Sequence, residues 1–414
     1  MSGMLATAGP ALRAARPALA PASVLAVAIV LAAGDWGLPP SLAGLREAGP
    51  YAILAVAIAV AGWFNRARAL VFASSLLAAH AGLQLANAAG GFAPHAVFTL
   101  AALLVPLNVL VALLLEERGV GHHRNYRWLL ALVAQVLLVA WIASAGRTAF
   151  SGVAWQAMLD HWTLRSPPTP WIGRILFAAA FVAALWRAWP RQSPLEIGIA
   201  GALAAAFIAC DWGDRPGVAA VFQSAAGLLL VIAVLQESHR MAFNDELTGL
   251  PGRRALQEAM AALGPRYVIA MADVDHFKKF NDTHGHDIGD QVLKLVAARL
   301  DEVRGGGRAY RYGGEEFTVL FPNHSLEEAL PHLEVVRDAI EHYPMAVRAT
   351  DRPKDAEAGE RLRADAGPDK TLSVTVSIGV AEPDAKRHTP QQVLKAADTA
   401  LYRATDGGRN RVAT

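Results

Sequence analysis

The feature that most constrains this chain is a succession of Ala-, Leu- and Val-rich runs with few charges, confined to residues 1–236. They raise the hydrophobic share of the chain to 54%, above the roughly 45–50% of ordinary globular proteins. Because a membrane-spanning helix needs about 20 mostly apolar residues, these runs predict an N-terminal all-α transmembrane bundle of about eight helices. The candidate spans are residues 20–38, 51–65 (the shortest), 69–89, 96–115, 128–145, 171–189, 195–212 and 217–236.

The arginines beside these runs predict the orientation of the bundle, since Lys and Arg concentrate on the inner side of membrane helices. With the N-terminus inside, the inner segments carry Arg13, Arg16, Arg66, Arg68, Arg118, Arg124, Arg127, Arg187 and Arg191. The outer segments carry fewer over longer stretches, namely Arg46, Arg147, Arg165 and Arg215. The bias predicts that both ends of the chain lie on the inner side.

Uncharged polar side chains interrupt several of the runs, and we expect them to form hydrogen bonds between helices. They are His80, Gln84, Asn87, Asn108, Gln135 and Gln223. The runs show no charged pair near mid-membrane, which argues against an ion-coupled transporter with a regulatory tail, although a transporter stays open as an alternative.

The rest of the chain has the composition of a globular domain. We place the membrane region at 1–236, a short signalling helix or linker at 237–246 without a Gly/Ser-rich tether, and a soluble domain at 247–414. The formal charge of +2 gives no indication of a nucleic-acid-binding surface. The single cysteine, Cys210, excludes a disulfide framework and a Cys-rich metal site within one chain.

Strand and helix patterns alternate in this domain and predict an α/β fold. "YVIAMADV" (267–274) is typical of a strand buried on both faces, and 308–321 reads as a hairpin around a glycine pair. Ser325 and Thr389 are predicted to cap helices. Residues 348–370 are charged and aperiodic, which predicts a mobile loop.

Three carboxylates stand where two of these strands end. Asp273 closes the strand at 267–274, and Glu315 with Glu316 follows the glycine pair at the hairpin tip. Adjacent like charges do nothing for a turn, so we expect a cation between them. Oxygen ligands without thiol or imidazole select Mg²⁺ or Mn²⁺ rather than zinc.

Phosphate- and base-binding groups follow the first strand. Lys278 and Lys279 are donors suited to phosphate oxygens, and Asn281 with Asp290 offers an amide and a carboxylate that can read a base edge. The residue chemistry therefore predicts a nucleotide site with metal-assisted phosphoryl transfer.

Five motifs in order make residues 241–414 resemble the GGDEF-domain family of diguanylate cyclases. They are "DELTGLPGRR", "DVDHFKKFNDTHGHDIGD", "RYGGEEF", "VTVSIGVA" and "ALYRATDGGRNRV". The resemblance implies a nucleotidyl-cyclase-like domain with a mostly antiparallel central sheet flanked by helices. It also implies a homodimer that condenses two GTP into cyclic di-GMP and two pyrophosphates, anchored in a bacterial inner membrane with the domain in the cytoplasm.

The resemblance also implies roles for the residues that match its motifs. Asp273, the backbone carbonyl of Val274 and Glu315 would bind Mg²⁺, with Glu316 adding charge and a second metal contact, and Glu315 would accept the proton. Gly313, Gly314, Lys278 and Arg409 would bind the phosphates. Asn281 and Asp290 would bind the guanine. Because adenine lacks the donors that an aspartate reads on guanine, GTP is expected over ATP.

Three departures from the family pattern qualify these expectations. Thr405 stands where a phosphate-binding lysine is usual, and Gly252 stands where a turn asparagine is usual. The product-inhibition motif RxxD reads Arg304-Gly305-Gly306-Gly307, so we expect no feedback through that site. The alternative to a cyclase is a catalytically silent GGDEF domain that acts as a membrane-bound nucleotide-binding regulator.

Overall fold

The computed structural model describes residues 10–34, 43–90, 93–117, 119–120, 123–145, 169–191, 193–213, 215, 217–346, 371–385 and 387–414. The chain divides into two compact units, Met1–His239 and Arg240–Thr414. The predicted loop at 348–370 and the outer-segment residues Arg147 and Arg165 lie outside the described residues.

The first unit is helical throughout its described part. Its helices are α1 (Pro10–Ala33), α2 (Ala43–Trp63), α3 (Ala67–Ala89), α4 (Ala93–Leu114), α5 (His123–Ala145), α6 (Trp171–Arg191), α7 (Pro194–Asp211) and α8 (Val218–Phe243), the last of which runs into the second unit. Each predicted apolar run falls on one of these helices. The helices form because their interiors are rich in Ala and Leu, which lose little side-chain freedom in a helix.

Six of these helices, not the expected eight, are long and apolar enough to cross a membrane. They are α3, α4, α5, α6, α7 and α8. The first two have shorter apolar stretches in the described residues, Ala18–Ala33 and Glu47–Trp63. The second stretch starts at a carboxylate and contains Pro50, and the first helix ends at Ala33, before the predicted run does. The prediction of eight spans is therefore corrected to six candidates.

A cluster of charges is buried at the ends of three helices of this unit. Arg68 of α3 forms ion pairs with Glu196 of α7 at 3.0 Å and with Glu117, just after α4, at 3.4 Å. Its Nε and Nη2 also donate to the carbonyls of Ala112 and Leu115, at 3.1 and 2.7 Å. Ala112 is in the last turn of α4 and Leu115 directly follows the helix. Carbonyls at a helix C-terminus lack partners within the helix, so Arg68 caps α4.

The second unit alternates helices and strands, as the sequence predicts. Its elements are α9 (Arg253–Ala261), β1 (Tyr267–Val274), α10 (Phe277–His284), α11 (His286–Asp301), β2 (Arg308–Gly313), β3 (Glu316–Pro322), α12 (Leu326–Glu341), β4 (Met345–Ala346), β5 (Thr371–Leu372), β6 (Val376–Ala381), α13 (Pro390–Asp406) and β7 (Val412–Ala413).

The main sheet has the strand order β2-β3-β1-β6-β7. β1 lies between β3 and β6 and is antiparallel to both, and only the β6–β7 pairing in this sheet is parallel. Apolar clusters cover both faces. One contains Val268, Phe317 and Val296, and the other contains Met271, Leu256 and Leu401. The mostly antiparallel sheet flanked by helices is the expected fold.

Two local features fix how the helices sit on the sheet. Ser325 and Thr389 form capping boxes at the starts of α12 and α13, which confirms both predicted caps. On β6, Gly379 faces α13 so closely that a Cβ would stand 1.9 Å from the backbone nitrogen of Leu401. Only a residue without a side chain fits there, so Gly379 sets the distance between the sheet and α13.

Candidate active site

The centre of the sheet brings the predicted carboxylates to one edge. Asp273, near the end of β1, is the cross-strand partner of Glu316 in β3 and of Ser377 in β6. Glu315 precedes β3 in the hairpin turn, and Gly314 has a φ of 56°, a conformation that favours glycine. A Cβ on Gly313 or Gly314 would meet no protein atom within 4 Å, so the space beside the turn is open to a ligand.

A cavity of about 360 Å³ lies beside this edge. It is lined by Asp273, Val274, Asp275, His276, Phe277, Lys278, Lys279, Asp282, Glu315, Thr405 and Arg409. Two of the predicted carboxylates therefore share one cavity with the three cations predicted near phosphate. This arrangement of acids and bases suits a ligand that carries phosphates and a divalent cation together.

Asp273 carries the strongest electrostatic signature of the site. Burial and the charges of Glu315, Glu316 and Asp275 raise the pKa of Asp273 to about 7. Every charge that shifts this pKa is negative, so a divalent cation would relieve the repulsion. Carboxylate oxygens are the ligands that such a cation prefers, and the residues present fit one.

Glu316 has other neighbours. It lines a separate cavity of about 620 Å³ together with Arg253 of α9 and Asp398 of α13. Burial and the charges of Asp398 and Glu315 raise the pKa of Glu316, and Arg253 opposes them. The structure thus places Glu316 beside Asp273 in the sheet but gives it a side-chain environment different from that of Glu315.

The described residues contain one set of three potential ligands whose atoms all lie within 4.8 Å of one another, Asp338, Glu341 and His342 on the surface of α12. Arg337 pairs with Glu341 at 2.7 Å, which supplies that cluster with its counter-charge. The ligand atoms of Asp273, Glu315 and Glu316 do not all lie within 4.8 Å of one another.

The two residues predicted to read a base lie on neighbouring helices. Asn281 is in α10, and Asp290 is exposed in the first turns of α11. Gly289 packs against Asn281, and a Cβ at this position would stand 1.8 Å from its Oδ1. The Oδ1 atom is buried without a hydrogen-bond donor. The cavity beside Asp273 is lined by neither Asn281 nor Asp290, so the structure does not bring the two predicted base-reading residues into it.

Thr405 differs from the expected lysine in what it offers to the cavity. Its hydroxyl donates to the carbonyl of Leu401 in its own helix at 3.1 Å. Arg409 lines the cavity from a backbone with a φ of 64°. The cationic wall of the cavity therefore consists of Lys278, Lys279 and Arg409, without a fourth cation from α13.

Asp275 lines the cavity and is a residue that the sequence analysis missed. It is buried and accepts hydrogen bonds from the hydroxyls of Thr375 and Ser377, both at 2.7 Å, and from the backbone N–H of Asn410 at 3.1 Å. These bonds tie the end of β1 to β6 and to the segment after α13 that carries Arg409. The sequence could have indicated Asp275 as a site residue, because it lies two positions after Asp273 near the end of the same predicted strand.

Arg311 is a second missed residue, and it fixes the hairpin turn. It donates to the carbonyl of Gly314 at 2.7 Å and to the carboxylate of Asp245 at 2.7 Å. Asp245 also accepts from the N–H and the hydroxyl of Thr248, at 2.9 and 2.7 Å. The turn that carries Glu315 is thereby joined to the segment directly after α8.

An open sheet edge at which two carboxylates and three cations line one cavity is typical of a nucleotide-binding domain of the metal-assisted class. The family described as "Diguanylate cyclase, GGDEF domain" matches residues 242–411. This part of the chain is a GGDEF domain and belongs to that family, as the five motifs predict.

Named relatives agree with this assignment. The chain is 38% identical over 186 residues to the response regulator PleD of Caulobacter vibrioides, covering 43% of this chain and 37% of that protein. It is 37% identical over 182 residues to the diguanylate cyclase VdcA of Vibrio cholerae, covering 43% and 48%. The match therefore spans less than half the length of these curated relatives.

Among solved structures, the coiled coil and GGDEF domain of DgcB from Caulobacter crescentus, in complex with c-di-GMP, is 32% identical. The comparison covers 46% of this chain and 94% of that one, with a TM-score of 0.39.

Proposed function

We propose that this chain is a membrane-bound diguanylate cyclase that condenses two GTP into cyclic di-GMP and two pyrophosphates. The observation that carries the proposal is the cavity in which Asp273 and Glu315 face Lys278, Lys279 and Arg409. Relatives with the same domain carry this activity in their names. The six apolar helices support placement in a bacterial inner membrane, with the domain in the cytoplasm.

In the proposed reaction, the 3′-oxygen of one GTP forms a bond to the α-phosphorus of the other. The bond from that phosphorus to its bridging oxygen breaks, and pyrophosphate leaves. A bound divalent cation, Mg²⁺ or Mn²⁺, supplies charge neutralisation on the phosphates and lowers the pKa of the 3′-hydroxyl.

The residues of the chain have distinct roles in this proposal. Asp273, the carbonyl of Val274 and Glu315 hold the cation, Glu316 adds negative charge, and Glu315 receives the proton of the 3′-hydroxyl. Lys278 and Arg409 bind the phosphates, and the open turn at Gly313 and Gly314 gives the phosphates room. Asn281 and Asp290 read the guanine edge, which requires the Asn281 side chain to turn its buried Oδ1 toward the ligand.

One chain contributes one such site, so the proposal requires a homodimer in which two GTP-loaded sites face each other. The membrane helices would set the geometry of that dimer, since α8 runs without a break into the segment before Asp245.

A second candidate function is a silent domain that binds a guanine nucleotide and regulates through the membrane region. Thr405 is the observation that favours it, because its hydroxyl is engaged with Leu401 and gives the cavity no charge.

The deciding experiment incubates the purified full-length protein with GTP and Mg²⁺ and identifies the product by mass spectrometry. The parent and the surface control Asp301→Asn are expected to form cyclic di-GMP, and Glu315→Ala to form none. If the parent protein binds GTP as a dimer but forms no product, the cyclase proposal fails and the silent regulator takes its place. Conversion of ATP at the same rate would contradict the guanine-reading roles of Asn281 and Asp290.

A further inference from the structure

A second binding site lies inside the membrane unit, far along the chain from the nucleotide cavity. A cavity of about 660 Å³ is lined by residues of α3, α4 and α5, within the range of about 300–1,000 Å³ typical of small-molecule sites. Its walls are mostly Ala, Val and Leu, and none of the lining residues is charged. A charged ligand would find no counter-ion there, so the walls select a neutral, largely apolar molecule.

Three polar side chains converge at one end of this cavity. Asn108 Nδ2 donates to Ser75 Oγ at 3.1 Å and to Gln135 Oε1 at 2.9 Å, and Gln135 Nε2 donates to Asn108 Oδ1 at 2.9 Å. Ser75 Oγ in turn donates to the carbonyl of Val71 at 2.8 Å. These bonds confirm that Asn108 and Gln135 hydrogen-bond between helices, but they use only part of the capacity of the amides.

The trio of Ser75, Asn108 and Gln135 retains hydrogen-bonding capacity for one ligand group. Asn108 has both N–H groups engaged, whereas Gln135 donates only one of its two. The second N–H of Gln135, together with the lone pairs of the trio, can bind one hydroxyl or carbonyl group. In an otherwise apolar cavity, such a group fixes which end of a ligand enters first.

The cavity is long, and three of its four polar lining residues lie at one end. Its lining runs along α3 from Ser75 to Ala89, a distance of about 21 Å at the helical rise. At the other end Ser144 donates to the carbonyl of Trp141 within its own helix. The shape therefore fits one extended chain with a single polar head at the Ser75 end.

The depth of the polar end argues against a phospholipid. Ser75 lies eight residues beyond the start of α3 at Ala67, which is about 12 Å along the helix. A phospholipid head would have to enter the apolar layer to reach the trio, at a large cost in lost hydration. A small uncharged head does not meet this barrier.

We propose that the cavity between α3, α4 and α5 is a binding site for a neutral single-chain amphiphile with a hydroxyl or carbonyl head. The oxygen of the head accepts from the second N–H of Gln135, and a hydroxyl head can also donate to a lone pair of Asn108 Oδ1. The chain lies along the alanine-rich walls. The site takes part in neither GTP binding nor catalysis and stands independently of the proposed cyclase activity.

The test uses photolabelling of the purified full-length protein in nanodiscs with a diazirine-bearing hexadecanol, mapped by peptide mass spectrometry. Labelling is expected on α3, α4 and α5 and is expected to be competed by unlabelled hexadecanol, but not by hexadecane or by palmitate. Hexadecane tests the need for a polar head, and palmitate tests the exclusion of charge.

Two substitutions on α5 form a matched pair. Ala140→Phe fills the cavity, and Ala134→Phe adds the same volume at an exposed residue outside the lining. The first is expected to lower competable labelling at least fivefold and the second to leave it unchanged. The double variant Asn108→Leu and Gln135→Met removes both amides and is expected to abolish the difference between hexadecanol and hexadecane.

Equal labelling of parent and Ala140→Phe, or equal competition by hexadecane in the parent, would overturn the proposal and assign the labelling to bulk lipid. If Ala140→Phe does not elute as a single species, Val139→Phe fills the same cavity and replaces it. Because the readout is binding, loss of cyclase activity does not affect the result.

Discussion

Both units of this protein bury charge, but they treat it in opposite ways. In the membrane unit, Arg68 is matched by Glu196, Glu117 and two helix carbonyls. In the GGDEF domain, Asp273 is surrounded by further carboxylates, which with burial raise its pKa to about 7.

The comparison separates two uses of charge. Arg68 joins helices of the membrane unit, whereas Asp273 is proposed to bind a ligand. A buried ion is costly unless it is paired, and carboxylates whose pKa values are strongly raised cluster at functional sites. The membrane unit completes its cluster with its own residues, whereas the described neighbours that shift the pKa of Asp273 are all carboxylates, which is the charge pattern that the proposed cation would neutralise.

The largest effect is expected at Asp273. Asp273→Asn should lower formation of cyclic di-GMP by about 100-fold or more, since it removes a charged oxygen ligand from the proposed cation site. Product formation by the full-length protein measures the loss, with Asp301→Asn as the control. If the activity of Asp273→Asn stays within twofold of the parent's, Asp273 is not a ligand of the proposed cation.

Asp273→Asn is also expected to change how the stability of the GGDEF domain depends on pH. Because the folded-state pKa of Asp273 is raised to about 7, above an unfolded value of about 3.9, its charge destabilises the metal-free fold progressively as pH rises from about 4 to 7. Asp273→Asn should reduce this decline, measured by unfolding of the GGDEF domain in the full chain in the presence of a chelator. Mg²⁺ should stabilise the parent more than the variant above pH 7.

In the membrane unit, Arg68→Met should destabilise the fold by about 3–5 kcal/mol, the cost of leaving a buried charge without its partner. Glu117, Glu196 and the carbonyl of Leu115 all lose a donor. Unfolding in detergent measures the effect, and Arg127→Met, at an exposed position, is the control. An equal midpoint for both variants would show that the cluster adds nothing to stability.

A smaller effect is expected where Asp245 meets Arg311. Burial alone raises the pKa of Asp245, but Arg311 and Thr248 outweigh it and lower the pKa. Because the pKa of Asp245 is lower in the folded state than in the unfolded state, its charge stabilises the fold at pH values above the unfolded pKa of about 4. This contribution is lost as the pH falls through the pKa of the folded state. Asp245→Asn keeps an acceptor for Thr248 and should cost about 1–2 kcal/mol at pH 7.

The matching measurement is the stability of parent and Asp245→Asn at pH 7 and at pH 3. The difference between the two proteins should shrink at the lower pH. A difference that stays constant would mean that the ion pair with Arg311 does not contribute through its charge.

The smallest effect is expected at Thr405. Thr405→Lys adds a cation to the wall that holds Lys278 and Arg409 and should lower the KM for GTP about fivefold, the equivalent of about 1 kcal/mol for one charged contact to phosphate. Thr405→Met has a similar length without the charge and should leave KM unchanged. The same KM for both variants would indicate that position 405 does not reach the phosphates.

Patterns within short segments predicted much of the fold. The apolar run 267–274 is β1 with the same bounds, and Ser325 and Thr389 cap the helices that they were expected to cap. These features depend on neighbours within a few residues. The number of membrane spans was overestimated, since charges and a proline shorten the apolar stretch of α2.

Pairings between distant segments could not be predicted in the same way. Arg68 and Glu196 are 128 positions apart, and Arg311 and Asp245 are 66 apart. Glu316 follows Glu315 directly, yet it lines a cavity with Arg253 and Asp398, which come from two other helices. The sequence indicated the chemical groups of the site, but the packing of α9 and α13 decides which of them share a cavity.

Gly379 has a consequence for genetics. It carries no reactive group and touches no proposed ligand, yet the backbone of Leu401 occupies the place of its side chain. Even alanine there must push α13 away from the sheet, and with it Thr405 and Asp398. A screen for inactive alleles should therefore recover substitutions at position 379 as readily as those at the carboxylates, and they should give little folded protein rather than a folded, inactive one.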